Sequence, residues 1–296
     1  MKQFRKILED NDLKVNKYTI NGKAVIVDTS KGLFVLKNTK GNDKYKYLLS
    51  RGFDYFPKIL AIDNDNTIYE YLENIDYDDS QKAFDIMHLI SLLHSKTAYY
   101  KEIDYDEYKI IYENLKSKID YIYNYYLDII NVTESKLYPS PSEYLIERNI
   151  SKIFSCIFYC TNELNHWYDL IKDKKRKRVV TLHNNLKLDN LLKNKNMYLI
   201  SWDKSKIDMP IYDLINFYNR YALDFDFKSL FNEYERIFPL LEEEKILLNI
   251  LISIPEKINF NLNEYDMVKS IRKMIDKIYK TEKLLTSKEE KTTSTK

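Results

Sequence analysis

Apolar and polar positions alternate along the first part of the chain and follow a helical repeat further on. Two β-rich runs flank an Asn-Gly pair within Tyr18–Thr29, which is a strong signal for a β-hairpin. Gly32–Lys37 alternates like a buried strand, and Thr67–Leu72 has the composition of another strand. From Gln81 the apolar repeat becomes helical. The pattern therefore predicts a β-rich beginning followed by a helical region.

Helical periodicity continues to Leu285 and is interrupted once. The interruption is Val179–Asp213, which reads as a strand, a polar loop, a short strand, a turn and a strand that ends in an acid. The basic run Lys172–Arg178 precedes it, either as a solvated connector or as a surface for an acidic partner. The predicted helices are Tyr99–Tyr126, Ser142–Leu170, Leu214–Tyr221, Phe227–Phe238, Glu242–Ile254 and Asn263–Leu285.

This order of elements predicts an α+β protein. The 296 residues suffice for one two-part domain with a substantial core. We expect a β-rich part at 1–73, a helical part at 74–285 that contains the 179–213 hairpin, and a disordered polar tail at 286–296. The chain has 47 Lys and Arg against 45 Asp and Glu, so no net field favours nucleic acid as a partner.

Composition also bears on location. The N-terminus shows no apolar stretch with a cleavage site, and Ile246–Ile254 is shorter than the roughly 18 residues that a membrane span needs. Cys156 and Cys160 lie four residues apart in an apolar helical run, which is typical of buried small hydrophobes in a reducing compartment. We therefore expect a soluble cytoplasmic protein without a membrane span.

Four polar residues of the interruption keep a spacing that carries chemistry. His183, Asn185 and Asn190 occupy the positions of an H-x-D-x-x-x-x-N loop, and Asp203 follows thirteen residues after Asn190. This arrangement resembles the catalytic core of the protein-kinase-like superfamily. The likeness extends from about residue 18 to residue 221.

Neighbouring residues narrow the resemblance to the small-molecule branch of that superfamily. A W-D pair ends at Asp203, and Pro210, Asp213 and Leu214 supply a P-x-x-D-L segment. Both are similar to aminoglycoside phosphotransferases, choline-kinase-like enzymes and CotS-type spore-coat kinase-like proteins. The resemblance implies a bilobal fold with a small β-rich N-lobe and a large helical C-lobe. It also implies phosphoryl transfer from ATP, and CotS-type relatives add an association with spores.

The same resemblance assigns roles to individual residues. Asn190 and Asp203 would bind Mg²⁺ through oxygen atoms, which are the ligands that this ion prefers. Lys37 would bind the α- and β-phosphates of ATP, unless it is only a strand-end lysine facing water. The remaining implied roles are hinge contacts to adenine at Glu70 and Tyr71, a hydrogen bond beneath the loop from His183, and support of the loop backbone by Asp213.

Three departures from the family pattern point the same way. Asn185 stands where the family places its catalytic Asp, so the loop has lost its charge and its proton acceptor. The Asn21-Gly22 turn is not glycine-rich, which leaves either a plain hairpin or a phosphate lid. The helix predicted at Lys44–Ser50 has no Glu to hold Lys37, and Asp43 is the only acid near it. Together they predict a degenerate site.

Several functions stay open at this point. The first is a kinase-like protein with weak or lost transfer activity that binds Mg-ATP and a small molecule or a protein partner. The second is an active ATP-dependent kinase for a small hydroxylated molecule, because a loose transition state needs little early proton removal. The third is an unrelated α+β binding protein. A shifted register with Asp189 and Asn194 as the loop pair would restore an acid but place Lys187 at the His position.

Overall fold

A five-stranded antiparallel sheet forms the N-terminal part of the chain. The structure, a computed structural model, describes residues 1–38, 43–63, 65–104 and 106–293, with side chains as far as residue 286. The sheet has the order β1-β2-β3-β5-β4. Its strands are β1 (Val15–Asn21), β2 (Ala24–Thr29), β3 (Gly32–Asn38), β4 (Ile59–Ile62) and β5 (Asn66–Glu70).

The predicted hairpin is confirmed. Asn21 pairs with Ala24 across a two-residue turn, and Gly22 adopts a φ of +56°. A positive φ is strained for residues with a Cβ atom, so the glycine at this place allows the tight turn. β2 then pairs along its length with β3, which brings Lys37 opposite Ala24 at the turn end of the sheet.

One face of this sheet is covered by the N-terminal helix α1 (Arg5–Glu9). Apolar residues of α1 point toward β2, β3 and β5, whose alternate residues point back, because side chains alternate between faces along a strand. The buried cluster consists of Phe4, Ile7, Leu8, Val25, Val27, Leu36 and Ile68. It fixes which face of β3 is buried, and Lys37, next to Leu36, therefore points to the opposite face.

The remainder of the chain is mainly helical, as the periodicity predicts. Helix α5 packs against α4, α8 and α9, and α6 packs against α8. The helices are α2 (Asp43–Ser50), α3 (Asp79–Thr97), α4 (Glu107–Glu134), α5 (Pro141–Ile171), α6 (Ile211–Tyr221), α7 (Phe227–Ile237), α8 (Glu242–Ser253) and α9 (Glu264–Thr293). With the β-rich beginning, they confirm the predicted α+β class.

Two stretches differ from their predictions. Tyr99–Glu102, expected as the start of a helix, is a strand (β6) that pairs with Arg176–Val179 of β7 (Arg176–Leu182). The local pattern predicts a helix here, but pairing with β7 stabilises a strand. Side chains that lie opposite each other on paired strands pack together, and this packing outweighs the local preference. The end of the basic run is therefore a strand and not a connector. Its charges are met within the chain: Arg176 pairs with Glu102, and Lys177 with Glu107.

The chain forms two units. The first comprises Met1–Ala98 and Val180–Ile207, and the second comprises Tyr99–Val179 and the chain from Asp208 onward. The domain limits predicted at residues 73 and 285 stay predictions. So does the disordered tail predicted at 286–296, because the side chains of 287–293 and the whole of 294–296 lie outside the described residues. No helix within the described ranges is long and apolar enough to span a membrane.

Candidate functional site

A cavity of about 940 Å³ lies within the first unit. Its walls come from the β1–β2 turn, from β3, from the end of β5 and from the polar loop of the 179–213 interruption. Six of the predicted site residues line it: Lys37, Glu70, Tyr71, Asn185, Asn190 and Asp203. The structure therefore brings together residues that are up to 166 positions apart in the sequence, from Lys37 to Asp203.

The two charged residues of this group form an ion pair. Lys37 Nζ lies 2.9 Å from Asp203 Oδ2, with 15% and 35% of the two side chains exposed. Lys37 comes from β3, whereas Asp203 lies in a short 3₁₀ helix, Trp202–Lys204. Ser201 precedes this helix in a left-handed conformation with a φ of +66°, which turns the chain toward the cavity. The lysine is thus held by the candidate metal ligand itself.

Backbone carbonyl groups hold the amides of the polar loop. Asn185 Nδ2 donates to the carbonyl oxygen of Ser201 over 3.3 Å, and Asn190 Nδ2 donates to the carbonyl oxygen of Asn185 over 2.7 Å. The Ile200 amide in turn donates to the Asn190 carbonyl over 2.9 Å. Because a carboxylate cannot donate, Asp at position 185 would lose the bond to Ser201. Asn185 is therefore used here as an amide.

His183 lies beneath this loop and not on the cavity wall. It is fully buried, and its Nε2 is 2.9 Å from the carbonyl oxygen of Ile200. Its ring meets the Trp202 indole edge to face, with centroids 4.6 Å apart. The Trp202 Nε1 donates to the Leu199 carbonyl over 2.8 Å, which fixes the indole. These contacts suit a residue that shapes the loop.

The expected hinge lies where β5 ends. The Glu70 carboxylate accepts a hydrogen bond from the Lys58 amide over 2.8 Å, so its side chain ties β5 to the start of β4. Tyr71 and Leu72 continue along the cavity wall outside the strand, with 38% of Tyr71 exposed. Apolar residues that could contact a flat ring are Ile26, Val35, Leu72, Leu192 and Ile200.

Helix α2 contributes a residue that the sequence reasoning missed. Lys44 Nζ donates to the carbonyl oxygen of Trp202 over 2.8 Å. Burial lowers the pKa of Lys44, the Asp203 carboxylate opposes this shift, and the Lys37 ammonium adds to it. Lys44 stands four residues before the buried Leu48, and this spacing places both on one helix face. The four-residue spacing between Lys44 and Leu48 was the signal in the sequence that this lysine lies on the inward face of the helix.

A pair of hydrogen-bonded tyrosines lines the cavity. The Tyr45 and Tyr69 hydroxyl oxygens are 3.0 Å apart, and both rings are buried. Burial, together with the neighbouring Tyr69, raises the pKa of Tyr45, so the phenol stays neutral. Tyr45 follows Lys44 in the sequence, which means that α2 turns an aromatic residue as well as a lysine toward this region.

The β1–β2 turn and the polar loop both border the cavity. Asn21, Gly22 and Lys23 line the cavity, so the β1–β2 turn borders the space where a ligand would lie. Asp189 also lines the cavity, but Asn194 uses its Oδ1 to accept a bond from the Asn196 amide, 3.4 Å away in the β8–β9 turn. Strands β8 (Leu191–Lys193) and β9 (Met197–Leu199) require that turn. The shifted loop register therefore does not describe this site.

The side-chain oxygens of Asn190 and Asp203 that are not used in these contacts suit a hard cation. Asn190 uses its NH₂ group on Asn185, which leaves its Oδ1 for the cavity, and Asp203 retains Oδ1 beside the oxygen bound by Lys37. Mg²⁺ commonly takes one or two protein oxygens and completes its shell with phosphate oxygens and water. Within the described residues, no three His, Cys, Asp or Glu side chains form a group that could hold a metal. The residues thus fit a Mg²⁺ ion that arrives with phosphates.

Asp213, the last residue of the predicted set, belongs to the second unit. It is fully buried in the first turn of α6. Its predicted support of the loop backbone stays a prediction.

Known proteins share this fold at low sequence identity. No protein-family model matches the chain, and no curated protein sequence matches it. An aminoglycoside phosphotransferase from Alicyclobacillus acidocaldarius is similar in structure, with a TM-score of 0.67, 10% identity and 93% of each chain covered. The AMP-bound complex of spectinomycin phosphotransferase APH(9)-Ia has a TM-score of 0.53 at 10% identity, covering 94% of this chain and 98% of the other.

The class of fold follows from these similarities. The chain has the kinase-like α+β fold of the aminoglycoside phosphotransferases, and the alternative of an unrelated α+β fold is excluded. Choline kinase LicA from Streptococcus pneumoniae is also similar, at 15% identity with 97% and 98% of the chains covered, but its TM-score of 0.49 is too low to carry an argument.

Proposed function

We propose that this protein binds a nucleoside triphosphate in the cavity of the first unit and has weak or lost phosphotransferase activity. The observation that carries the proposal is the convergence of Lys37, Asn190 and Asp203 on one cavity, with Lys37 and Asp203 in contact at 2.9 Å. Phosphoryl transfer uses a cation on the phosphates and a metal ion held by oxygen ligands, and Lys37, Asn190 and Asp203 would supply the cation and the oxygen ligands. The AMP bound by the similar spectinomycin phosphotransferase supports a nucleotide as the ligand.

The position of the adenine ring follows from the distribution of apolar groups. The carboxylate of Glu70 is used within the sheet, so adenine would lie against the apolar wall and bind the backbone at Tyr71 and Leu72. The triphosphate would extend toward Lys37, and Mg²⁺ would be held by Asp203 and the Asn190 amide oxygen. His183 would keep the loop in shape through the Ile200 carbonyl.

The weakness of transfer rests on Asn185. Its amide is engaged with the Ser201 carbonyl, and it has no group that can take a proton from an acceptor hydroxyl. A general base typically contributes about 10²- to 10⁴-fold to the rate. An active kinase for a small hydroxylated molecule is the second candidate, since such a rate loss still leaves slow transfer. The likeness to CotS-type spore-coat proteins, and with it a spore location, rests on the sequence motifs alone.

The proposal is tested by thermal unfolding with saturating ATP and Mg²⁺. We expect ATP to raise the midpoint of the wild type, because a ligand at about a hundred times its Kd stabilises by about 2.7 kcal/mol. Lys37→Met should remove most of this shift, whereas Lys17→Met, an exposed lysine on β1, should retain it. A wild type whose midpoint does not move with saturating ATP, with or without Mg²⁺, contradicts the proposal.

A further inference from the structure

Lys37 contacts the Asp203 carboxylate, and a second lysine, Lys44, is held at the backbone of the residue next to Asp203. Lys37 reaches Oδ2 directly over 2.9 Å, and Lys44 is fixed 2.8 Å from the carbonyl oxygen of Trp202, the residue before Asp203. Burial lowers the pKa of Lys44, while the Asp203 carboxylate opposes this shift and the Lys37 ammonium adds to it. The three side chains form a charged cluster, which we call the Lys37–Lys44–Asp203 cluster, and it lies within the first unit.

The formal charges of the three side chains sum to +1, because two ammonium groups lie near one carboxylate. If position 44 carried a Glu, the same three positions would have a charge of −1, and one Mg²⁺ ion would be required to return the sum to +1. At position 185, on the same cavity, an amide replaces a group that would add another negative charge. The chain thus supplies, through its own residues, the charge that a bound metal ion would supply.

We propose that ATP binding at this site does not require a divalent metal ion, and that Lys44 is the residue that removes the requirement. The proposal rests on nucleotide binding in the cavity, as proposed above. When Lys37 turns from Asp203 to the phosphates, Lys44 remains beside Asp203 and neutralises the carboxylate. The carboxylate therefore does not repel the incoming triphosphate, although Mg²⁺ still fits the oxygen atoms of Asn190 and Asp203.

The surroundings of Lys44 allow this role as well as that of a simple structural tie, and the metal dependence of binding distinguishes the two. The bond from Lys44 to the Trp202 carbonyl uses one of the three donors of the ammonium group, which leaves two for neighbouring oxygens. Its side chain is partly buried, so its interaction with Asp203 is screened less than that of a surface pair. A structural tie alone would affect ATP binding equally with and without metal. Charge neutralisation affects binding mainly when the metal is removed.

The experiment measures ATP affinity by calorimetric titration in excess EDTA and in excess Mg²⁺. We expect the wild type to bind ATP in both, with affinities within about tenfold of each other. Lys44→Met should weaken binding in EDTA by about tenfold or more, the usual scale for losing a hydrogen bond or contact to a charged group, and should change it less in Mg²⁺. Lys46→Met, an exposed lysine on the same helix, is the matched control and should behave like the wild type.

Two further variants distinguish charge neutralisation by Lys44 from a site that binds ATP only together with the metal. Lys44→Glu should abolish binding in EDTA and restore it in Mg²⁺, because the cluster then needs the metal. Asp203→Asn should retain or strengthen binding in EDTA, since it removes a negative charge near the phosphates. If Asp203 acts only as a metal ligand, this substitution weakens ATP binding in Mg²⁺, and the variant binds no ATP in EDTA.

The outcomes separate the two proposals. A wild type that binds ATP in Mg²⁺ and not in EDTA overturns the metal independence and leaves the nucleotide site intact. Metal independence through Lys44 is also overturned if Lys44→Met cannot be distinguished from Lys46→Met. A wild type that binds ATP in neither condition overturns the proposed function, and the inference on Lys44 with it.

Discussion

Two pairs of a cation and a carboxylate in this protein have the same chemistry and different surroundings. Arg178 and Glu244, in the second unit, have 12% and 5% of their side chains exposed, and the Arg178 Nε donates to Glu244 Oε1 over 2.9 Å. The Arg178 guanidinium also donates to the Pro239 carbonyl and lies 4.2 Å from the centre of the Phe238 ring. Lys37 and Asp203, in the first unit, share one contact at the wall of a cavity and are more exposed.

The difference shows which pair can change partners. Glu244 accepts a further bond from the Leu241 amide over 2.9 Å at the start of α8, so both charges of the buried pair are satisfied on several sides. Breaking such a pair leaves a charge without solvent or a partner. Lys37 and Asp203 each retain access to water, so exchanging one partner for phosphate or metal costs little. The surroundings of the first pair suit a stabilising role, and those of the second suit the binding role that we propose for its cavity.

The largest expected effect is on the buried pair. Glu244→Ala should lower the free energy of unfolding by about 3 kcal/mol or more, since it leaves Arg178 without its carboxylate and removes the cap of α8. Urea unfolding measures this change. Lys37→Met is the matched variant in the open pair and should cost about 1 kcal/mol or less. Similar losses in the two variants would mean that burial does not distinguish the pairs.

A smaller effect is expected at the loop amide. Asn185→Asp removes the hydrogen bond to the Ser201 carbonyl and should destabilise the protein by about 1 kcal/mol. The new carboxylate can accept a proton, so we expect ATP turnover in Mg²⁺ to rise while the unfolding midpoint falls. ADP release measured alongside thermal unfolding follows both quantities.

The same exchange outside the cavity is the control for this variant. Asn194→Asp, in the β8–β9 turn, retains the oxygen that accepts the Asn196 amide and should change neither quantity. If turnover falls in Asn185→Asp, the amide already takes part in transfer. That result would support the second candidate function, an active kinase.

The smallest effect is expected at a third pair, in which the carboxylate is the more buried partner. Lys193 Nζ lies 3.0 Å from Asp85 Oδ2, and the two side chains are 36% and 12% exposed. Burial raises the pKa of Asp85, but hydrogen bonds from Tyr77, Gln81 and Lys193 outweigh it and hold the pKa below its ordinary value of 3.8. Because the folded-state pKa is depressed, this stabilisation is present above the unfolded pKa of about 3.9 and is lost as the pH falls through the folded pKa.

We therefore expect Asp85→Asn to remove part of the acid sensitivity. At neutral pH the variant should be less stable than the wild type by less than about 1 kcal/mol, after allowance for solvent screening. Toward pH 3 and below the two should converge, as thermal unfolding at a series of pH values would show. Asp128→Asn, an exposed residue of α4, serves as the control. A gap that does not narrow on acidification contradicts a role for the Asp85 charge.

Local patterns determined much of the fold. The Asn21-Gly22 turn and the alternation of β3 depend on neighbours within a few residues, so the hairpin and the strand that carries Lys37 could be predicted. Tyr99–Glu102 could not, because its strand conformation depends on β7, more than 70 residues away in the sequence. Ion pairs from the basic run to Glu102 and Glu107 are unpredictable for the same reason.

The sequence by itself determined a β-rich beginning followed by a helical region and, through the spacing of His183, Asn185, Asn190 and Asp203, the loop of the candidate site. A fixed spacing between local turns requires no knowledge of distant contacts. Only the tertiary structure decided that Lys37 pairs with Asp203, that Asn185 is held by Ser201, and that Lys44 joins them. These contacts join β3, α2 and the polar loop, and the packing of the whole unit sets which charges meet across such separations.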